Sequence, residues 1–475
     1  MFAAVLLLAA VLRFYKLGVT SLWTDELFTA FYPRDGLSFI WTEGLRTEPT
    51  SPFYFSIIWA VEHVAGDSAF VLRLPSVASS LLGIALAGLL ARELFERRAA
   101  PIFAALLLAL APTNIFYAQE ARGYALQGAA LALALFGFAR FLRERDRAGP
   151  LALYGAGATL AIYFHPTSLI AVVAINLAAL FSVVGRGRLL DARALLRWCA
   201  VNAIVAVLCL PLLPTLLSPS IAAAVNWIPA LSRWSLEELI GVTLAGPALS
   251  AHAMAIAEIA IPLLAVIFLV PPWRPGRRAA TVLLLAPGLF LALMIGISVQ
   301  KPVLLGRTLA WTLIPLAVAL GDVLARRTKV IALVVLAGLA AATALHFSRV
   351  ELLKEDWQGF LARLPDLSPP ALIVLAPHTP PAALARYAPD AGTPVRMEDP
   401  GPPVAETLLT TRLFGTKTIT RADLAAAIDS GRPVWLIYRR PEYQWMLRTT
   451  AGLPPPKRAV QDIEGSNPGM RALFW

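Results

Sequence analysis

Long apolar blocks separated by short basic clusters dominate the pattern of the chain, as at residues 78–90, 102–110, 201–217 and 330–345. Each block approaches the ~20 apolar residues with which a helix crosses a bilayer, and a helix satisfies its own backbone hydrogen bonds in lipid. The pattern predicts an α-helical polytopic membrane protein with about eleven spanning helices, near residues 1–17, 69–95, 101–118, 122–142, 150–164, 167–185, 195–217, 251–271, 279–298, 305–325 and 329–346.

The first apolar run could be mistaken for a signal peptide. It lacks a basic leader and a small-residue cleavage site, so we interpret it as the first spanning helix, which leaves open a start further upstream.

The positions of the cations orient these helices. When the helices are threaded alternately, five clusters fall on one side: Arg92/Arg97/Arg98, Arg140/Arg143/Arg145/Arg147, Arg186/Arg188/Arg193/Arg197, Arg274/Arg277/Arg278 and Arg326/Arg327/Lys329. The positive-inside rule makes that side cytoplasmic. Arg13 and Lys16 are exceptions to this rule, because they follow the first helix on the outer side. The net charge of +11 lies mostly in these short loops, so we expect no nucleic-acid partner.

Composition agrees with a membrane location. Hydrophobic residues make up 58% of the 475 residues and charged residues 15%, whereas soluble domains carry roughly 45–50% and about 25%. Two domains are expected: a transmembrane domain over 1–346, with a first outer loop at 18–68, and a small extracytoplasmic α/β domain over 347–475. The tail has strand-like runs at 371–376 and 433–438 and a helix-like run at 421–430 that Gly431 would end.

Two other outer segments have recognisable patterns. In the first outer loop, the apolar stretch 53–64 is too short to span and carries Glu62 and His63, which favours a helix on the membrane surface. The loop 218–250 carries Trp227 and Trp234, which suit the membrane interface.

The strongest chemical pattern is Trp23-Thr24-Asp25-Glu26 in the first outer loop. Two adjacent carboxylates follow a membrane helix, beside aromatic residues typical of the interface. Partial desolvation there raises the proton affinity of a carboxylate and makes it a usable general base. The alternative is structural, because Thr24 or Asp25 could cap the helix that follows.

Two further outer motifs offer cations for a phosphate. Tyr117 to Tyr124 places Arg122 between tyrosines at a hairpin tip, where guanidinium binds phosphate bidentately; a salt bridge to Glu120 or a snorkelling arginine is the alternative. Lys301 and Arg307 lie six residues apart against the charge bias of the outer side, and phosphate binding or membrane anchoring would explain them.

The remaining polar positions are less specific. His165, at another hairpin tip, is either structural or functional. The sequence shows no metal-ligand cluster of His and Cys and no phosphate-binding glycine loop. Glu258 and Asp322 are the exceptional acidic residues within membrane segments.

From Trp23 onward the chain resembles the membrane glycosyltransferases of the GT-C fold, and more narrowly the bacterial protein-mannosyltransferase-like group that includes the lipid A aminoarabinose transferases. The resemblance covers roughly residues 10–360 and rests on Trp23-Thr24-Asp25-Glu26, Ser51-Pro52-Phe53-Tyr54, Phe70-Val71-Leu72-Arg73-Leu74-Pro75-Ser76, Tyr117-Ala118-Gln119-Glu120-Ala121-Arg122-Gly123-Tyr124, Lys301-Pro302 with Arg307, and Glu355-Asp356-Trp357. Relatives often have His or Lys where this chain has Ser51, and Tyr where it has Thr308. These departures concern acceptor recognition and metal use.

The resemblance implies transfer of a sugar from a polyprenyl-phosphate carrier to a glycolipid, polysaccharide or protein, on the outer side of the cytoplasmic (inner) membrane. It implies Asp25 and Glu26 as catalytic residues, with Asp25 the base. Because cations must stabilise the departing phosphate, we expect donor-phosphate binding by Arg122, Lys301 and Arg307, with Tyr124 beside them. Glu48, His165 and Gln119 are further candidates for substrate binding. No cofactor is required by this scheme, and a divalent metal is left open.

Two other classes remain as alternatives. A lipid or sugar transporter or flippase predicts paired halves and mid-membrane charges. A non-catalytic receptor with an extracytoplasmic sensor domain would account for the tail alone.

Overall fold

The computed structural model describes residues 1–48, 52–184, 192–219, 221, 228–260, 278–365, 367–398, 413–462 and 469–475; for 181–184 and 278–284 it describes the backbone alone. Several predicted features lie outside these residues: Arg186, Arg188, Arg274, Arg277, Trp227, and parts of the predicted spans 167–185 and 251–271. Within the last of these, residues 253–260 are helical.

Most described residues are helical. The α-helices are α1 Phe2–Phe14, α2 Thr24–Phe31, α3 Gly36–Ile40, α4 Gly44–Thr47, α5 Pro52–Ala65, α6 Ala69–Leu94, α7 Ala100–Leu110, α8 Pro112–Ala118, α9 Tyr124–Arg143, α10 Ala148–Phe164, α11 Ser168–Val184, α12 Ala192–Cys209, α13 Leu213–Leu216, α14 Arg233–Ala245, α15 Arg278–Gln300, α16 Gly306–Leu309, α17 Leu313–Arg326, α18 Lys329–Ser348, α19 Trp357–Ala362, α20 Pro381–Tyr387, α21 Arg421–Asp429 and α22 Tyr443–Thr450.

Five helical segments in the described part of the chain are long and apolar enough to cross a membrane: Ala69–Leu94, Tyr124–Arg143, Ala192–Leu216, Gly306–Arg326 and Lys329–Ser348. The bent pair α7–α8 gives a sixth if it is one span, and four shorter apolar helices lie at Phe2–Phe14, Ala148–Phe164, Ser168–Leu180 and Leu285–Gln300. The molecule is a helical polytopic membrane protein. The total of about eleven spans stays a prediction.

The predicted span 101–118 consists of two helices, α7 and α8, that meet at a bend of 64°. Ala111, before Pro112, is extended rather than helical, as residues before proline prefer. Pro112 also lacks the N–H that would continue the helix. Arg13 donates instead to the carbonyl oxygens of Leu108 at 3.0 Å and Ala109 at 3.1 Å. This buried position explains why Arg13 departs from the charge pattern of the loops.

The outer segments fold as helices and a sheet. Helix α5 confirms that the stretch 53–64 is helical, and α14 occupies the loop 218–250, with Trp234 largely exposed.

The C-terminal region forms one mixed sheet. Its strands are β1 Leu372–Leu375, β2 Val395–Met397, β3 Lys417–Ile419, β4 Val434–Arg439, β5 Arg458–Gln461 and β6 Met470–Phe474, in the order β3-β2-β1-β4-β6-β5. The first four strands in this order are parallel, and β6 pairs antiparallel with both neighbours. Strands β1 and β4 and helix α21 confirm the predicted runs, and Gly431 has the positive φ of +75° typical of a helix stop.

Candidate active site

Helix α2 carries both candidate carboxylates on different faces. Asp25 and Glu26 are consecutive, so their side chains diverge by ~100° around the helix. The Asp25 side chain is 26% exposed, whereas that of Glu26 is fully enclosed. The two carboxylates therefore have different surroundings.

Glu26 lies at the centre of a buried ion-pair network. Arg73 donates to both of its oxygens, at 2.8 and 2.7 Å, the Lys354 ammonium lies 3.4 Å away, and the backbone N–H of Ala121 donates at 2.7 Å. Burial alone would raise the pKa of Glu26, but Arg73 and Lys354 outweigh it and lower the pKa to about 2. Glu26 is ionised and shielded, so we infer a supporting role rather than the catalytic one that the sequence suggested.

Asp25 lies on another face of α2 and meets the candidate phosphate-binding cations. Its Oδ2 accepts a hydrogen bond from Nη1 of Arg307 at 2.8 Å. Nη1 of Arg122 lies 3.5 Å from both the Asp25 carbonyl oxygen and the Thr29 hydroxyl. A half-exposed carboxylate and two guanidinium groups thus meet at one end of α2.

A cavity of about 730 Å³ opens beside this cluster. Apolar and aromatic side chains dominate its wall, with a few polar and charged ones. The lining residues are Trp23, Phe116, Tyr117, Glu120, Pro229, Leu231, Ser235, Glu238, Leu239, Val242, Pro247, Ala248, Ser250, Ser298, Pro302, Leu304, Leu305, Gly306, Arg307, Arg349, Leu352 and Leu353. Arg307 is the link, because it lines the cavity and pairs with Asp25. Among the described residues, Asp25, Arg122 and Lys301 lie off this wall, so the three do not converge on it directly. Lys301 is next to the lining residue Pro302.

Arg122 pairs differently from the sequence-based alternative. Its Nη2 lies 3.8 Å from Oε1 of Glu48, which is itself buried. The structure records this ion pair rather than one with Glu120. Two of the candidates, Arg122 and Glu48, are thereby brought together next to Asp25.

Tyr124 and His165 lie on the same side of the cluster. The guanidinium carbon of Arg307 is 6.0 Å from the centre of the Tyr124 ring, and the His165 ring is 5.5 Å from that ring. Burial, aided by Arg307 and Arg122, lowers the pKa of His165 to about 3. Its Nδ1 lies 2.8 Å from the Thr167 hydroxyl. His165 is therefore a neutral residue at neutral pH.

Gln119, a candidate for substrate binding, connects two parts of the backbone. Its amide donates to the carbonyl oxygens of Arg13 at 2.9 Å and Tyr15 at 2.7 Å. These bonds hold the end of α1 against the turn that follows α8.

Trp23 and Glu120 are cavity residues to which sequence reasoning gave no binding role. Glu120 is 1% exposed, and burial raises its pKa to about 7. Their place within the Trp23–Glu26 and Tyr117–Tyr124 motifs was the available signal. It was insufficient, because a motif does not say which of its side chains faces a cavity. In the described part of the chain, no three His, Cys, Asp or Glu side chains are grouped to hold a metal ion.

Comparison with known proteins finds one matching family model and solved structures with a similar fold. Residues 48–214 match the family model of dolichyl-phosphate-mannose-protein mannosyltransferases. The aminoarabinose transferase ArnT from Cupriavidus metallidurans in the apo state has the same fold, with a TM-score of 0.61, 14% identity, and coverage of 99% of this chain and 97% of that one. Over nearly its whole length the chain has the GT-C fold of ArnT, and over residues 48–214 it has the sequence pattern of the mannosyltransferase family.

A second solved structure of ArnT, bound to undecaprenyl phosphate, matches this chain with a TM-score of 0.58 and 13% identity, again over 99% and 97% of the two chains. No curated protein matches the chain by sequence. The similarity is thus one of fold over the whole chain and of sequence over part of it.

Proposed function

We propose that this chain is a glycosyltransferase that transfers a sugar from a polyprenyl-phosphate carrier to an acceptor on the outer side of the cytoplasmic membrane, with inversion and with Asp25 as general base. The observation that carries the proposal is the Asp25–Arg307 contact at the cavity wall. It places a carboxylate that can take a proton next to a cation that can hold a phosphate. ArnT, which shares the fold, binds undecaprenyl phosphate in its solved structure, and this supports the choice of carrier.

The reaction needs one base and a stabilised leaving group. The acceptor hydroxyl oxygen attacks the anomeric carbon while its proton passes to Asp25. The bond between that carbon and the phosphate oxygen breaks, and its electron pair leaves with the carrier phosphate. Because the phosphate is a stable anion, no acid has to protonate it, unlike the leaving group of a glycosidase. Attack from the side opposite the phosphate inverts the anomeric configuration.

Arg307 and Arg122 supply positive charge where the phosphate charge increases. Charge-assisted hydrogen bonds from guanidinium groups to phosphate are about twice as strong as neutral ones. In a site partly shielded from water such contacts also stabilise a transition state more than they would in solution. Glu48 holds Arg122 from the other side, so its effect on catalysis would be indirect.

The decisive experiment offers purified, reconstituted protein a panel of undecaprenyl-phosphate sugars together with envelope glycolipids, polysaccharide and protein acceptors. We expect one donor to be consumed with formation of a glycoside of inverted configuration, and Asp25→Asn to remove that product. Movement of a lipid-linked sugar across vesicles without new glycoside would instead support the transporter alternative. Within the described residues, Asp322 near the end of α17 is paired with Arg326 at 2.7 Å, so this alternative gains no support from it.

A further inference from the structure

Two residues that line the cavity each have a buried polar atom with no hydrogen-bond partner among the described residues: the indole Nε1 of Trp23 and Oε2 of Glu120. Both atoms are shielded from solvent, and the whole Glu120 residue is 1% exposed. Buried polar atoms are almost always paired, because an unpaired one loses its hydrogen bonds to water without replacement. A bound ligand that pairs both atoms would explain their position.

The chemistry of the two atoms limits what that ligand can be. An indole N–H only donates, whereas a carboxyl accepts when ionised and also donates when protonated. A ligand that suits both must offer an acceptor and a donor, and a polyhydroxylated ring does so. The wall around them is aromatic and aliphatic, with Phe116, Tyr117 and Leu305, which suits the C–H faces of such a ring.

The charges at the wall indicate separate places in the cavity for the phosphate and for the hydroxyl-bearing group. Arg307 is on the wall and would attract the phosphate, whereas the Glu120 carboxyl would repel it when ionised. Lys354, Glu26 and Asp25 also act electrostatically on Glu120. An anionic group and a hydroxyl-bearing group would therefore occupy different parts of one cavity.

We propose that Trp23 and Glu120 form a subsite for the transferred sugar ring, in which they hydrogen-bond its hydroxyl groups while Arg307 takes the phosphate. This inference rests on the proposed function, since it divides one donor between two parts of the cavity. It assigns Trp23 and Glu120 to sugar specificity and leaves the carrier lipid to other residues.

The test compares two ligands that differ only by the sugar: undecaprenyl phosphate, and the undecaprenyl-phosphate sugar that the donor panel identifies. Affinities are measured for the full-length protein and for Trp23→Phe, Glu120→Leu and Glu120→Gln. We expect Trp23→Phe and Glu120→Leu each to weaken binding of the sugar-bearing lipid about tenfold and to change binding of the bare lipid phosphate less than twofold. Glu120→Gln should restore most of the loss, because an amide both donates and accepts.

Glu351→Leu is the control, because it removes an exposed carboxylate next to the lining residue Leu352 and should leave both affinities unchanged. Trp23→Phe keeps the aromatic ring, so it tests the indole N–H even if Glu120→Leu does not fold. Equal losses for the two ligands, or unchanged binding of the sugar-bearing lipid, would overturn the sugar subsite. If the wild-type protein bound neither ligand, the proposed function would fail instead.

Discussion

At the scale of single residues, the two carboxylates of α2 should respond differently to loss of charge. Asp25→Asn keeps the shape and removes the base, so we expect transfer to fall by about 10²- to 10⁴-fold or more while the protein still inserts and binds the donor. Donor binding and single-turnover transfer would measure this. Near-normal transfer by folded Asp25→Asn would refute the mechanism.

Glu26→Gln should act mainly on stability. It leaves the buried charges of Arg73 and Lys354 without their shared anion, and breaking a buried pair in this way costs about 3–5 kcal/mol. We expect a clearly lower unfolding temperature in detergent, together with measurable turnover by the fraction that remains folded. A stable but wholly inactive Glu26→Gln would return Glu26 to the chemistry.

The cations should affect donor use according to their place at the cavity. Arg122→Ala and Lys301→Ala remove charges suited to phosphate, and loss of such a contact costs roughly 1.5–3 kcal/mol, or about 10- to 150-fold in kcat/KM for the donor. Arg307→Ala should lose at least as much, because Arg307 itself lines the cavity. Arg307→Lys, which keeps the charge and removes the planar fork, should recover part of the activity. Normal donor use by Arg122→Ala and Lys301→Ala would make those residues membrane anchors.

Glu120 should make stability depend on pH. Its pKa is raised to about 7 in the folded protein, so the folded state binds more protons than the unfolded state between about pH 4.5 and pH 7. The stability difference between Glu120→Gln and the wild type should therefore shift in favour of the variant as pH rises through that window, by a few kcal/mol at most. Unfolding temperatures from pH 5 to pH 8 would show it. Parallel curves for the two proteins would contradict the raised pKa.

Sequence reasoning at this scale could identify the motif but not the roles within it. It grouped Glu26 with Asp25, because both carboxylates follow one membrane helix. Their separation depends on Arg73 and Lys354, and those contacts exist only once distant helices have packed. The same holds for Glu120, whose burial is a property of the turn between α8 and α9.

At the scale of elements, hydrogen bonds connect the C-terminal region to the first outer loop at residues next to Asp25. Glu355 accepts hydrogen bonds from the backbone N–H and the hydroxyl of Thr24 and lies 2.8 Å from Nε of Arg439 on β4. The Tyr387 hydroxyl accepts from the backbone N–H of Leu22 at 2.8 Å. Contacts from the C-terminal region therefore hold the start of α2, the helix that bears the proposed base.

Tyr387→Phe tests this support. It leaves the N–H of Leu22 unpaired, which costs about 1–3 kcal/mol, and it should lower kcat several-fold with little change in donor KM. Tyr443→Phe is the matched control, because that tyrosine is exposed on α22. If the two variants had the same kcat, the C-terminal region would have no role in placing α2.

Among the elements, periodic apolar runs and strand-like runs were predictable from local pattern, as α6, α9, β1 and β4 show. The break between α7 and α8 was not, although Pro112 is visible in the sequence. A proline at that position is compatible with either a kinked span or a bend. Arg13, which pairs with the freed carbonyl groups, comes from another part of the chain.

At the scale of the whole molecule, topology is the main open prediction. Reporter fusions at Arg145, Arg188 and Gly276 should report the cytoplasm, and fusions at Ala230 and Gly401 the outer side, because the basic clusters follow the positive-inside rule. Alkaline phosphatase and green fluorescent protein fusions at each position would check it. A cytoplasmic report at Gly401 would put the cavity on the wrong side for an outer acceptor.

The contacts between α2 and the C-terminal region also determine when the site can form during translation. Thr24 and Glu355 are 331 residues apart, so a ribosome adding about 5–20 residues per second finishes the second partner roughly 15–65 s after the first. During that interval Glu26 can already meet Arg73, but not Lys354. The contacts of the first outer loop are therefore completed only near the end of translation, and a nascent chain released before Lys354 would insert into the membrane without an assembled candidate site.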